Sequence, residues 1–131
     1  MTKLIAVAFS VLLTGCAGLT GLIPSFWDDN QSARIISVRQ DIIALDCAQP
    51  QRAQVARIHR DLEWFRLYSE SKGGRQADVL ALTEPMMATT QDWLKRVSAE
   101  GYKENAIYCD LKKRVLQEQS ARAAKAVLGR F

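Results

Sequence analysis

The sequence predicts an all-α protein, a small bundle of four helices joined by one disulfide bond. Apolar residues recur at steps of three and four along four separate segments, which is the spacing of one buried helix face. No segment alternates apolar and polar residues in the way that a half-buried strand does. The 131 residues suffice for one domain and are too few for two, so the helices are expected to share one core.

The first two helices are predicted from their apolar stripes and from the residues in front of them. Helix one runs from about Gln31 to Asp46, behind Asp and Asn residues that suit an N-cap. Helix two runs from Pro50, which suits the first helical turn, to about Glu70. The predicted core stripe of helix one is Ile35, Val38, Ile42 and Leu45, and a second stripe beside it is Ile36, Ile43 and Cys47. The predicted core stripe of helix two is Val55, Ile58, Leu62 and Phe65.

The third helix is predicted from about Gln76 to Glu100, after a turn that contains two glycines. A proline inside a helix loses one backbone hydrogen bond and crowds the preceding turn, so Pro85 predicts a kink or break nearby. Thr89 and Asp92 have the spacing of a capping box for a restarted helix. The predicted core positions are Val79, Leu82, Met86, Trp93 and Val97.

The fourth helix is predicted from about Glu104 to Leu128, with Ile107, Tyr108, Leu111 and Val115 as its apolar positions. Beyond Leu116 the same stripe becomes polar, with Glu118, Gln119 and Arg122 where a bundle needs apolar residues. The segment from Gln117 to Phe131 is therefore predicted to project past the bundle, either as plain overhang or as a docking arm.

The first fifteen residues predict an export signal. Lys3 precedes an apolar run from Leu4 to Leu13, interrupted only by Ser10, which gives a positive start and a short hydrophobic segment. A transmembrane helix needs a run of ~20 apolar residues, about twice this length. The run ends in the tetrapeptide Leu13-Thr14-Gly15-Cys16.

This segment resembles the signal peptide and lipobox of bacterial lipoprotein precursors, in which an aliphatic residue and two small residues precede a cysteine. The resemblance implies cleavage before Cys16, diacylglycerol on its thiol and an acyl chain on its new amino group, with no other cofactor. It also implies the periplasmic face of the outer membrane, because Ala17 stands where enterobacterial lipoproteins retained at the inner membrane carry Asp. Residues 16–30 are expected to form a lipidated tether, and residues 31–131 the helical domain.

Cys47 and Cys109 then remain as an even pair in an oxidising compartment. They are predicted to form a structural disulfide across a sequence separation of 62. Loop-closure entropy alone gives such a bridge ~4 kcal/mol of stabilisation. The alternative is a reactive or metal-binding pair, which the lack of a nearby histidine and of a Cys-x-x-Cys motif disfavours.

Charge and motifs argue against several classes of function. The chain has 18 Lys and Arg against 14 Asp and Glu, a net charge of +4 that is too small to indicate nucleic-acid binding. The single histidine, His59, lies between arginines without a metal-ligand neighbour, so it is predicted to be a solvated surface residue and no metal site is expected. No hydrolase, metalloprotease, phosphate-loop or dinucleotide-binding motif is present, so no catalytic residue is predicted.

One helix face has the composition of a recognition surface. Arg57, Arg60, Trp64 and Leu67 lie together on helix two, opposite its core stripe. Exposed tryptophan and leucine among arginines are typical of protein-binding surfaces. The alternative is that helix two is central and buries both of its faces.

These observations favour a non-enzymatic lipoprotein of the outer membrane that acts as an adaptor for an envelope protein partner. One alternative is a phage- or prophage-encoded lipoprotein that acts in host lysis, in the manner of an outer spanin, or in superinfection exclusion. Another is an envelope hydrolase or enzyme inhibitor. The adaptor resembles secretin pilotins in general plan only, since no pilotin motif is present.

Overall fold

The computed structural model describes residues 28–73 and 76–129, and within these residues it contains four α-helices and no strand. The helices are α1 (Asp29–Ala44), α2 (Gln51–Ser71), α3 (Ala77–Val97) and α4 (Ala106–Leu128). The prediction of an all-α four-helix bundle is confirmed. The predicted export signal, the lipidation site Cys16 and the tether as far as residue 27 lie outside the described residues.

The helices form a ring in which α1 and α3 each pack against both α2 and α4. Consecutive helices are antiparallel. Asn30, at the start of α1, contacts Tyr68 near the end of α2, and Asp41, near the end of α1, contacts Arg57 in the first half of α2. The start of α1, the α2–α3 turn and the end of α4 therefore share one end of the bundle, the N-terminal end. The α1–α2 turn and the α3–α4 loop share the opposite end, the disulfide end.

The sequence caps two of the helices directly. The Asp28 carboxylate accepts a hydrogen bond from the Gln31 backbone N–H at 2.8 Å, at the start of α1. The Asn105 side chain accepts one from the Tyr108 N–H at 2.9 Å, at the start of α4. Each side chain satisfies a backbone donor that lacks a partner within its helix.

The core consists of one inward stripe from each helix, and the predicted stripe of α2 and the first of the two predicted for α1 are confirmed. In α3, Val79, Met86, Trp93 and Val97 are buried as predicted, whereas Leu82 is half-buried. The second stripe predicted for helix one is wrong, because Ile43 is exposed and Ile36 only partly buried. The buried apolar side chains are Ile35, Val38, Ile42, Leu45, Val55, Ile58, Leu62, Phe65, Val79, Met86, Trp93, Val97, Cys109, Leu116, Ala123, Ala124 and Val127.

The predicted disulfide between Cys47 and Cys109 is confirmed. The two Cα atoms lie 5.7 Å apart, within the usual range for such bridges, and Cys109 is fully buried. The bond joins the α1–α2 turn to the first turn of α4. A second contact ties the same elements, because the Lys113 ammonium donates to the Leu45 carbonyl at 2.6 Å.

Of the kink or break predicted near Pro85, the break is absent, since α3 is one helix from Ala77 to Val97 with Pro85 inside it. Pro85 lacks the N–H that would bond to the Ala81 carbonyl, and both residues lie on the exposed side of α3, so the unpaired carbonyl is not enclosed in the core. The predicted capping box does not form either. The Thr89 hydroxyl donates instead to the Pro85 carbonyl at 2.8 Å, within the continuous helix.

The prediction of a projecting last segment is wrong. The end of α4 packs along the bundle, and its inward stripe is Cys109, Leu116, Ser120, Ala123, Ala124 and Val127. Glu118 and Arg122 lie on the outer side, so they occupy no core position. The large apolar residues chosen as the core face instead lie outside, with exposed fractions of 83% for Ile107, 53% for Leu111 and 37% for Val115.

We expect loss of the disulfide to lower the stability of the fold substantially. The double variant Cys47→Ser/Cys109→Ser should lose up to ~4 kcal/mol in the free energy of unfolding, because the unfolded chain regains the entropy of the open loop. Chemical denaturation followed by circular dichroism measures the change, and reduced wild-type protein is the matched control. Equal stability of the oxidised and reduced wild type would show that the bridge does not hold the two ends together.

Candidate functional site

The residues predicted to bind a partner lie on the outer face of α2, and all four are exposed. Trp64 has 40% and Leu67 57% of its surface accessible, and Arg57 and Arg60 lie on the same face. The alternative of a central helix two, packed on both sides, is therefore wrong. We refer to Arg57, Arg60, Trp64 and Leu67 as the α2 face.

The indole of Trp64 is held between aromatic and cationic neighbours. It stacks on the Tyr68 ring with 5.0 Å between centroids and 7° between planes. The Arg34 guanidinium, from α1, lies 4.4 Å from the Trp64 ring centroid. The Lys72 ammonium, just after α2, lies 5.4 Å from the Tyr68 ring centroid. Arg34, Trp64, Tyr68 and Lys72 thus form one stacked array across α1 and α2, in which cation–π and ring stacking reinforce each other.

Hydrogen bonds and ion pairs fix the array at both of its edges. Arg34 is 3.0 Å from the Asp61 carboxylate. The Tyr68 hydroxyl accepts from the Asn30 side chain at 2.9 Å and donates to the Asp28 carboxylate at 3.3 Å. The Lys72 ammonium bonds to the same Asp28 carboxylate. Because Asp28 also caps α1, the array is built into the N-terminal end of the fold.

A shallow depression of about 350 Å³ opens beside Trp64, between α1 and α2. Its walls offer an indole ring, a guanidinium, an amide and a hydroxyl, which suits a small side chain of a partner. Two turns before Trp64 on α2, Arg57 is paired with the Asp41 carboxylate of α1 at 3.3 Å. The residues that line the depression are Asn30, Ala33, Arg34, Ser37 and Trp64.

His59 differs from its predicted role as a solvated surface residue. Its side chain is largely buried between α2 and α3, with Nδ1 at 2.8 Å from the Thr90 hydroxyl. The Thr90 hydroxyl also lies 2.9 Å from the Met86 carbonyl of its own helix. His59 therefore joins α2 to α3. Within the described residues, no group of three or more His, Cys, Asp or Glu side chains is placed to hold a metal ion.

Sequence reasoning missed a second cluster, between α3 and α4 near the disulfide end. The Arg96 guanidinium lies 4.1 Å and the Lys112 ammonium 5.6 Å from the Tyr108 ring centroid. Lys112 also donates to the Asp92 carboxylate at 2.8 Å. That hydrogen bond lowers the pKa of Asp92 and raises the pKa of Lys112, so both groups stay charged over a wide pH range. Only the three-dimensional pairing of α3 with α4 brings these residues together.

Tyr102 occupies the loop between the same two helices. Its hydroxyl donates to the Gln51 side-chain oxygen at 3.2 Å. Burial raises the pKa of Tyr102, and the charge of Glu104 adds to this shift. The phenol therefore remains neutral and acts as a structural donor.

No protein-family model matches the chain, and neither a curated protein sequence nor a solved structure matches it. Among the described helices, none is both long enough and apolar enough to cross a membrane.

The two tryptophans of the described helices should respond differently to truncation. Trp93→Ala should cost about 3–5 kcal/mol, because Trp93 is fully buried and donates its indole N–H to Gln51. Trp64→Ala should cost only about 1 kcal/mol, the value of its stacking contacts. Thermal and denaturant unfolding of both variants measure the difference. A loss for Trp64→Ala as large as that for Trp93→Ala would contradict the placement of Trp64 on the surface.

Proposed function

We propose that this protein is a lipid-anchored, non-enzymatic adaptor that binds an envelope protein partner through the α2 face. The observation that carries the proposal is the exposure of Trp64 and Leu67 beside Arg57 and Arg60 on one helix. Tryptophan and arginine dominate the binding energy of protein interfaces, and a surface of this composition is the kind that a partner covers.

The rigidity of the array adds to this argument. Binding costs free energy when flexible side chains must be ordered in the interface. Here Trp64 is already held by Tyr68 and Arg34, and Tyr68 is held by Asn30 and Asp28. The central side chain of the surface is therefore ordered before a partner arrives, so less affinity is lost on binding.

The proposed lipid on Cys16 would keep the α2 face close to a membrane. Asp28 lies twelve positions after Cys16, and a chain of that length reaches ~43 Å at most. Asp28 bonds directly to Tyr68 and Lys72 of the array. The proposed partner is accordingly a protein of the envelope that presents its binding surface near the membrane to which this lipoprotein is attached.

The two alternative functions, a phage lipoprotein and an envelope hydrolase or inhibitor, gain no specific support from the described residues. The lysis and superinfection-exclusion hypothesis depended in part on a projecting last helix, and α4 packs along the bundle instead. The hydrolase or inhibitor hypothesis has, in the described residues, only an open depression of about 420 Å³ between α2 and α3 to build on, in which Glu70 is already paired with Arg66 at 2.7 Å. The adaptor hypothesis alone is favoured by a specific surface.

The test of the proposal is site-specific photocrosslinking in intact cells. A photoreactive amino acid at Leu67 should give one discrete adduct with an envelope protein, and the same group at Ile43 should not. Ile43 is a matched control because it has a similar exposed fraction on α1. Adding Trp64→Ala to the Leu67 probe should reduce the adduct roughly tenfold or more without unfolding the protein.

The same strains test the anchor. Labelled palmitate should mark the wild type and leave Cys16→Ser unlabelled, and Cys16→Ser should fractionate with the soluble periplasm. Loss of the Leu67 adduct in Cys16→Ser would show that anchoring brings the α2 face to its partner. An unlabelled wild type, or equal adducts from Leu67 and Ile43, would refute the anchor or the binding surface respectively.

A further inference from the structure

The chain that leads into α1 is apolar. The eleven residues between Cys16 and Asp28 carry no charged side chain, and residues 22–27 read Leu-Ile-Pro-Ser-Phe-Trp. A solvated tether is normally rich in glycine and serine or in charge. Four large apolar side chains in six residues indicate instead a segment that packs against another surface. We call residues 22–27, which precede the described residues, the entry segment.

Asp28 fixes the place at which the entry segment ends. Its carboxylate accepts a hydrogen bond from the Tyr68 hydroxyl at 3.3 Å and bonds to the Lys72 ammonium, both at the end of α2. Consecutive Cα atoms are about 3.8 Å apart, so Trp27 has to start beside this end of α2. The residue before an N-cap often packs on the fourth residue of its helix. Here that residue is Ser32, whose hydroxyl donates to the Asp28 carbonyl at 2.8 Å, so α1 offers no apolar partner at this position.

The open part of the α2 face favours an aromatic occupant. Tyr68 stacks on Trp64 from the following turn of α2. The Arg34 guanidinium lies over the same indole and bonds to Asp61, in the preceding turn. Both faces of the indole are therefore occupied, and its edge is the part that remains open. The edge of an aromatic ring carries partial positive charge and prefers the face of a second ring. Leu67, with 57% of its surface exposed, adds apolar area beside that edge.

The charges on this side of the bundle favour an uncharged occupant. Three cations are already paired with carboxylates of the fold, so an acidic occupant would have to compete for them. Arg60 has no ion-pair partner among the described residues, and a guanidinium can also lie over an aromatic ring. An occupant without charge has no ion to desolvate. The paired residues are Arg34 with Asp61, Arg57 with Asp41 and Lys72 with Asp28.

We propose that the entry segment packs on the α2 face of the free protein, and that an envelope partner has to displace it to bind. Phe26 and Trp27 supply the ring faces that the edge of Trp64 accepts. Six extended residues span ~20 Å, and α2 rises ~17 Å from Arg57 to Tyr68, so the segment can cover the face. Pro24 restricts the backbone and lowers the entropy lost on packing.

This packing makes the α2 face a regulated surface. A face that is covered about nine-tenths of the time binds its partner about tenfold more weakly than a free one. Only a partner that fills the same apolar area displaces the segment, which adds selectivity to the adaptor. The inference rests on the proposed function for the partner, whereas the packing itself can be observed in the purified protein without one.

The first test is photocrosslinking within the purified mature chain that carries Cys16→Ser. A photoreactive amino acid at Leu67 should crosslink to residues 22–27 of the same chain, as located by mass spectrometry. The same group at Ile43, which has a similar exposed fraction, should not. Phe26→Ser/Trp27→Ser should lower the crosslink yield roughly tenfold, because each of the two rings loses its buried apolar area. Circular dichroism should show unchanged helix content in this variant, since both residues precede α1.

Three results of this test would overturn the proposal. One is the absence of an intrachain crosslink from Leu67, or an equal one from Ile43. Another is a crosslink between two chains, which would make a second copy the occupant. The third is loss of the crosslink when the lipidated wild type is placed in vesicles of phosphatidylethanolamine and phosphatidylglycerol, because the entry segment would then lie in the membrane.

The second test measures competition with the partner in intact cells. Phe26→Ser/Trp27→Ser should raise the envelope-protein adduct of the Leu67 probe several-fold, up to about tenfold for a face that is nine-tenths covered. An unchanged or smaller adduct would overturn the proposed regulation and leave the adaptor function standing. An intrachain crosslink in the purified protein without any envelope adduct in cells would refute the adaptor function, while the packing of the entry segment would stand.

Discussion

The use of small residues on the inward side of α4 is the constraint on which the rest of the structure depends. Ser120, Ala123 and Ala124 fill the positions that face the other three helices. Protein interiors are packed to a nearly fixed density, so small side chains on one helix leave room for larger ones on the rest of the bundle. Leu116 and Val127 share this inward side, whereas Ile107, Leu111 and Val115 lie on the opposite, exposed side of α4.

Buried polar groups fix the register of the helices at both ends of the bundle. At the N-terminal end the Gln31 amide donates to the Ser69 hydroxyl and the Gln76 side chain, both at 2.8 Å. At the disulfide end the Gln51 side-chain oxygen accepts from the Trp93 indole and the Tyr102 hydroxyl, both at 3.2 Å. A buried amide left without partners is costly, so each set of contacts selects one alignment of the helices. The α2 face lies on a helix that both sets of contacts hold, through Ser69 and Gln51.

Most of the fold could be predicted from local patterns, because three of the helices bury large apolar residues at regular steps. The stripes of α1, α2 and most of α3 are of this kind, and the disulfide is the natural pairing of the two remaining cysteines. The register of α4 could not be found in the same way. Alanine and serine carry little hydrophobic signal, whereas Ile107, Leu111 and Val115 give a strong one on the wrong side.

The candidate sites show the same division between local and long-range information. The composition of the α2 face is visible in the sequence, but its exposure depends on how α2 sits in the ring. The stacking of Arg34 on Trp64 and of Arg96 on Tyr108 joins residues from different helices, so no sequence window contains either contact. The burial of His59 is likewise set by Thr90 of the neighbouring helix.

Hydroxyl-radical footprinting of the intact protein, with oxidation located by mass spectrometry, tests the orientation of α4 most directly. The account predicts rapid oxidation of Ile107 and Leu111 and strong protection of Leu116 and Val127, which lie on the same helix but face inward. Protection of Leu111 together with oxidation of Val127 would contradict it, since that pattern belongs to a helix whose first half is packed by its large residues and whose second half projects into solvent.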